Sequence, residues 1–457
     1  MAEFPSWQQG IRQPYPPLRG IIHADAAIVG GGLTGVTAAL MMQQQGIDTV
    51  LLEARRLGQG ATFGCGGLVT CQAFHAYQAA AKAVGADAAR TLAQLLREAV
   101  RGVAELAQHP GMACGLTPAS VYTYAETADD LPALERLLTL EGKLGLPVSE
   151  APDAGGCPFP VELSAMMQRQ ALLSPLPYLL GLAKAASALG CRIHEESPVL
   201  DIQGQRVKTP GGMVIADRIL LCTGIPLGCT RLPVLSLLQP RLREARVLGG
   251  MQPLHTAQLS VHADEMALRP IPGGLLMTFD RGALGTSQAQ SSGVIRDRTL
   301  RALLPEAFTR DVILRREVFS RDGLPLIGPM HPREDRLLMA GGFSGFGLTG
   351  AYLAARVLTG IMLSRPLPES GLFRPFRRYP GKGRVQARGL AVSGRAYVRG
   401  WANPSTPRCP HMGCPLRYNP ANRRWECPCH GSSFDVLGRV EAAPAIHNAR
   451  LSPKDRP

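Results

Sequence analysis

The chain has 457 residues, 45% of them hydrophobic, and a formal net charge of +14. That size and apolar content leave room for two or three domains with a substantial core, and they exclude a disordered or collagen-like chain. No signal-peptide pattern opens the sequence, and nowhere do about 18 uncharged apolar residues run together, so neither secretion nor a transmembrane segment is expected. Seven of the eleven cysteines (Cys65, Cys71, Cys114, Cys157, Cys191, Cys222, Cys229) are scattered singly, which fits a reduced, cytoplasmic protein better than a disulfide scaffold.

In chain order, residues 1–20 read as an N-terminal arm. Residues 25–29 (DAAIV) then form a short apolar strand, GGGLTG a turn, VTAALMMQQQG an amphipathic helix ending at Gly46, and DTVLLE a second strand. This is a βαβ unit. Gly30, Gly32 and Gly35 make G-x-G-x-x-G at its turn, with Glu53 eighteen residues further on. Gly30 permits the tight turn, Gly32 lets backbone approach a pyrophosphate, Gly35 lets helix and strand close, and the helix N-terminus attracts phosphate. Glu53 is placed to accept hydrogen bonds from ribose hydroxyls. The fingerprint suits NAD and FAD equally.

Helical periodicity dominates from about Ala79 to Gln108, and short strands punctuated by Gly and Pro recur between about Cys191 and Met277. Residues 339–363 repeat the strand, Gly-rich turn and helix pattern. The following stretch rich in Pro, Gly and Arg reads as a linker at 366–380. No long internal repeat is found.

Near the C-terminus CPHMGC is followed, twelve residues later, by CPCHGSSF. The spacings C-x-H and C-x-x-H place Cys409 and His411 on one loop and Cys427 and His430 on another, a two-thiolate, two-imidazole set for an iron–sulfur cluster or for zinc. From Gly371 onward sixteen Lys/Arg stand against four Asp/Glu. Such a basic end would steer an acidic redox partner, nucleic acid or anionic lipid, or serve only as a solubilising surface. The sequence shows neither a helical stripe of basic residues nor a nucleic-acid module, so no nucleic-acid partner is expected.

The opening stretch, with Gly-Ala-Thr after the acidic residue, resembles the D-amino-acid-oxidase-like FAD oxidoreductases, as do SPVLDI, ADRILLCTG, DGLPLIGP and MAGGFSGFGLTG in that order. The resemblance favours FAD over NAD. It implies cofactor contacts at Thr62, at the backbone of Val199, at Thr223 and Gly224, and at a flavin-side turn of Gly341, Gly342, Gly345 and Gly347. The two cysteine loops, with the tails Pro-Cys-His-Gly-Ser and AAPA, resemble Rieske [2Fe–2S] proteins, in which residues placed like Cys414 and Cys429 form a disulfide. Together the modules resemble a bacterial family of FAD-dependent oxidoreductases with a C-terminal Rieske domain.

The expected fold is thus an α/β, Rossmann-like FAD domain at 21–365, a linker, and a small all-β Rieske domain at 381–457. The FAD-binding parts would fall at about 21–75, 161–245 and 315–365, with an α+β substrate region at about 76–160 and 246–314. The implied activity is oxidation of a CH–NH or CH–NH2 bond in an amine or amino-acid-like substrate, with electrons passed singly through the cluster to an external partner. An electron-transfer protein without its own small substrate, and a biosynthetic dehydrogenase, are the alternatives. Relatives specific for amino acids place an Arg five residues before the Asp of D-G-L-P. Glu317 holds that place here, beside Arg315, Arg316 and Arg321, and would suit a cationic amine. CGGLVTC replaces a Thr-rich stretch of the relatives, so a substrate contact there does not carry over. His75, Tyr77 and Tyr178 are candidate catalytic groups without a specific signal.

Overall fold

The computed structural model describes residues 14–455 apart from 110, 153, 253, 263–265, 287–296, 298–299 and 402–405. Most of the expected N-terminal arm therefore lies outside the described residues. The expected βαβ unit is present as strand Gly20–Val29, helix Leu33–Gln43 and strand Thr49–Leu52. The first strand runs parallel to Gly212–Leu221 on one side and to Thr49–Leu52 on the other. Its alternation is that of a strand buried on both faces. Ala26 and Ile28 enter a core shared with five helices, and Ala27 and Val29 enter a second core behind the sheet. Glu334–Gly341, Leu326–His331 and Arg192–His194 complete the main path of this sheet.

A nine-stranded second sheet runs from Phe308–Ser320 through Leu238–Gly249 and Gly274–Ala283 to Leu163–Leu172 and Leu68–Val69. The periodic stretch near Ala79 forms two helices, Phe74–Ala83 and Ala86–Ala107, separated at Gly85, whose φ of +131° ends the first helical run. A third sheet of four short antiparallel strands (Arg417–Asn419, Arg424–Glu426, Ser433–Phe434, Val440–Ala442) carries the cysteine loops. No helix among the described residues is long and apolar enough to cross a membrane.

The segment between the modules departs from a plain linker. Pro368–Phe373 is a 3-10 turn, and Arg377 anchors the stretch beyond it: its guanidinium donates to both oxygens of fully buried Asp322, at 2.6 and 3.1 Å, while Tyr379 donates to the same carboxylate. Burial alone would raise the Asp322 carboxyl, but Arg377, Ser320 and Tyr379 hold it below its usual range. Next comes a helix that the composition did not announce, Lys382–Trp401. One face reaches both modules: Val385 packs on the core behind the first sheet, Ala396 and Tyr397 on the cysteine-loop core. Along it Arg384, Arg388, Arg395 and Arg399 recur at helical spacing, so the basic end does hold a helical stripe, with Arg384, Arg388 and Arg395 exposed.

Candidate functional site

The glycine turn meets its mechanical expectations. A Cβ at Gly35 would stand 2.0 Å from the Gly30 carbonyl oxygen, so only glycine lets the helix close on the strand. At Gly32 a Cβ would meet nothing nearer than Thr62 Oγ1 at 3.6 Å, which leaves the space over the helix N-terminus open. At that helix's start the only side chain on an N–H among the described residues is Thr62, whose Oγ1 accepts from Leu33 at 3.4 Å, and the first turn holds no acidic residue, so its positive end is available to an anion. Glu53 accepts from the Gly31 N–H at 2.7 Å and the Arg55 N–H at 3.0 Å; burial pushes its pKa up, against those bonds. Val199 is buried two residues beyond Ser197, whose N–H bonds the Glu53 carbonyl. Gly341 and Gly224 touch: a Cβ at Gly341 would fall 2.0 Å from the Gly224 carbonyl oxygen. Thus Gly30, Gly32, Gly35, Glu53, Thr62, Val199, Thr223, Gly224 and Gly341 gather at one end of the parallel sheet. This open glycine cradle beside a helix N-terminus fits the pyrophosphate and ribose of FAD.

The turn continues through Gly342 into a cavity lined by Gly345 and Gly347 and by Cys65–Leu68, His75, Thr278 and Leu259. The replacement stretch CGGLVTC therefore does reach this wall. Three arginines, Arg243, Arg269 and Arg315, and one carboxylate, Glu317, also line it. Glu317 is 7% exposed and thoroughly engaged: Arg315 lies at 3.2 Å, Arg243 at 3.7 Å, and the Gly345 N–H donates to it at 3.1 Å. The expectation that it would bind a cationic amine is corrected by these neighbours, since its charge is already matched and the wall is positive in sum. Arg269, pushed down to about 10 by burial, remains a cation at neutral pH and holds the carbonyls of Gly66 and Leu173. Of the candidate catalysts only His75 reaches the cavity. Tyr77 is fully buried with its hydroxyl on the Cys71 carbonyl, and Tyr178 is buried at 1% exposure. Sequence reasoning missed Arg243 and Arg269; the signal was a guanidinium inside otherwise apolar strands.

The two cysteine loops share one backbone design. The Cys409 N–H donates to the Cys414 carbonyl and the Gly413 N–H to the Cys409 carbonyl; the Cys427 N–H donates to the Ser432 carbonyl and the Gly431 N–H to the Cys427 carbonyl. Gly413 and Gly431 both take positive φ, so each chain turns back and presents its Cys and His together. The His411 and His430 rings lie 5.3 Å apart at 88°. The Nδ1 atoms of both are buried without a hydrogen-bond partner. Burial, then the His411 charge, pushes His430 down to about 4, and burial lowers His411, so burial favours the neutral form of both rings, the form that offers a lone pair. Orphaned nitrogens beside Cys409 and Cys427 fit a [2Fe–2S] cluster held by two thiolates and two imidazoles. The sulfurs of Cys414 and Cys429, expected to pair, lie with that of Cys427 within 4.8 Å of one another.

The histidine end of this module faces the first domain. His411 Nε2 lies 2.6 Å from the Cys229 carbonyl oxygen, and the Gly228 N–H donates to the Pro444 carbonyl at 2.8 Å. On the opposite side Ser393 of the connecting helix donates to the Cys429 carbonyl at 3.1 Å.

Ser432 is fully buried and bonds the Cys409 sulfur, and Phe434 is fully buried in the same core. A hydroxyl donor to sulfur stabilises the reduced, more negative cluster. Each donor of about 1.4 kcal/mol corresponds to roughly 60 mV for one electron. Ser432→Ala should therefore lower the midpoint and Phe434→Tyr raise it by some tens of millivolts. An EPR-monitored redox titration of the full chain checks both, and an unmoved potential in Phe434→Tyr would place that residue away from the sulfurs.

Residues 25–361 match the family model for FAD dependent oxidoreductases, and residues 400–453 match that for the Rieske [2Fe-2S] domain. The chain is 26% identical to the Rieske 2Fe-2S iron-sulfur protein YhfW of Bacillus subtilis, covering 96% of each chain. It is 28% identical to the gamma-glutamylputrescine oxidoreductase of Escherichia coli over 57% of this chain and 60% of that one. Glycine oxidase from Geobacillus kaustophilus shares the fold, with a TM-score of 0.67 at 20% identity over 78% of this chain and 99% of that one. With the glycine cradle and the paired cysteine loops each under its own family match, the chain belongs to the FAD dependent oxidoreductases and carries a C-terminal Rieske [2Fe–2S] domain.

Proposed function

We propose that this oxidoreductase oxidises the C–N bond of a small amine that also bears a carboxylate, and that the electrons leave one at a time through the Rieske domain to an external carrier. The observation that carries the substrate class is the charge of the cavity wall: three arginines against one carboxylate that two of them already hold. A simple cationic amine gains nothing from such a wall, whereas a substrate carboxylate does. Names among the relatives and neighbours, such as glycine oxidase and iminodiacetate oxidase, accord with that class.

FAD when bound supplies the two-electron acceptor and the cluster a one-electron carrier. The chain's part is placement. Arg243, Arg269 and Arg315 hold the carboxylate, the apolar residues Leu259, Leu268 and Leu276 of the same lining exclude water, and the glycine turn fixes where the C–N bond lies. His75, whose pKa burial lowers, is the group of the wall that can take the proton an ammonium must lose first. In this reading Cys409, His411, Cys427 and His430 are the cluster ligands, and the exposed arginines of helix Lys382–Trp401 favour an acidic carrier. The seven cysteines scattered singly along the sequence suit a reducing compartment, the cytoplasm.

Anaerobic bleaching of the flavin by a panel of amines tests the reading. Secondary amines and amino acids with a carboxylate should reduce it, and their carboxylate-free counterparts should not. Arg315→Met should weaken reduction by about 2 kcal/mol, a factor of roughly 30. Equal reduction by carboxylate-free amines would sink the substrate class. No reduction by any amine would favour an electron-transfer protein instead.

A further inference from the structure

Strand Phe308–Ser320 separates the two chemistries. Successive side chains in a strand point to opposite faces. Arg315 and Glu317 line the substrate cavity, and Arg316 between them points the other way, into the contact with the cysteine-loop module. Its guanidinium donates to three backbone carbonyls on three segments: Thr223 at 3.4 Å, Gly431 at 2.9 Å, and Ala443. Thr223 belongs to the FAD cradle, and Gly431 directly follows the ligand His430. One planar fork with several donors is what it takes to tie three carbonyls in a fixed relation. No ion pair of Arg316 with a carboxylate occurs among the described residues. Burial, and then the charges of Arg55 and Arg424, push it down to about 10, so it stays cationic at neutral pH. A half-buried cation that spends its donors on backbone carbonyls at a domain contact serves that contact.

We propose that Arg316 is a positioning residue for internal electron transfer: it registers the cluster loops on the flavin domain so that His411 Nε2 meets the Cys229 carbonyl. His411 Nε2 lies 2.6 Å from that oxygen, and with Nδ1 given to the cluster Nε2 would carry the ring's proton and donate it there. The Cys229 carbonyl lies five residues beyond Gly224 of the cradle, and the intervening chain is pinned to the Rieske module by the Gly228 N–H to Pro444 bond. Two electrons leave the substrate together, as a hydride. They pass this contact one at a time, each followed by transfer to an external one-electron acceptor, so both are accounted for. The inference rests on the proposed order of substrate, flavin, cluster and carrier.

The test is Arg316→Gln and Arg316→Lys in the full chain, with FAD and iron counted and the EPR g values compared first. The flavin is reduced by light and EDTA, so the result does not depend on which amine is the substrate. Flavin reduction should be unchanged, whereas the growth of the reduced-cluster signal should slow roughly tenfold or more in Arg316→Gln, since small misplacements are that costly. Arg316→Lys, which keeps the charge and loses the fork, should recover only part of the rate. Amide hydrogen exchange at Gly228, whose N–H spans the contact, should quicken in Arg316→Gln. Cluster reduction at the wild-type rate in Arg316→Gln overturns the proposal, whether or not exchange changes. So does slow cluster reduction with the Gly228 amide still fully protected.

Discussion

A valine at position 32 is expected to give a folded, iron-containing protein that emerges from gel filtration without flavin. The surroundings of Gly32 decide this. A Cβ at Gly35 would collide with the Gly30 carbonyl, and one at Gly30 with the Cys222 carbonyl at 2.7 Å, so substitution at either deforms the βαβ unit itself. At Gly32 the only neighbour within 4 Å is Thr62 Oγ1. A branched side chain fits there and fills the space through which a pyrophosphate reaches the helix N-terminus. Loss of FAD with near-normal thermal stability of the apoprotein is the expected pattern, read by flavin fluorescence after denaturation and by circular dichroism. Normal flavin occupancy in Gly32→Val would mean that the cofactor lies elsewhere.

Replacing a cluster ligand should have the opposite signature. Cys427→Ser or His430→Ala is expected to abolish the reduced-cluster EPR signal and the bound iron while leaving FAD at one per chain. The cradle and the loops belong to different cores, the first sheet and the four-stranded sheet, so the flavin does not depend on the metal. Flavin reduction should persist and delivery to a one-electron acceptor should cease. Iron at two per chain in both variants would remove these residues from the ligand set, and stoichiometric zinc in anaerobically purified wild-type protein would remove the cluster.

What could be read before folding was what lies close together along the chain. Gly30, Gly32, Gly35 and Glu53 fall within one βαβ unit, and each half of the ligand set within four residues, so spacing alone carries the chemistry. The cavity wall was illegible because strand pairing builds it: Arg243 and Arg315 sit on adjacent antiparallel strands in direct register, and Arg269 comes from a third. Arg315 lies two places before Glu317 on the same face, but nothing local says that Arg243 of the next strand will join it. The helix Lys382–Trp401 escaped for another reason. Its four glycines weaken its helical propensity, and glycine together with arginine gives it a linker-like composition. Packing reverses that reading: a Cβ at Gly389 would stand 2.1 Å from the Ser236 carbonyl oxygen, so the glycine that argues against a helix lets it dock.

The strand that carries Arg315, Arg316 and Glu317 constrains how this protein can evolve. Its pairing with Leu238–Gly249 fixes which residues look inward and which outward, and a slip of one place would exchange them. A single-residue deletion upstream would turn Arg316 toward the cavity and Glu317 toward the carbonyls of Gly431 and Ala443, spoiling cavity wall and domain contact in one event. Along this strand, substrate preference can therefore drift only by replacement, at positions 315 and 317. Insertions and deletions, the usual raw material of new specificity, are confined to loops outside this strand.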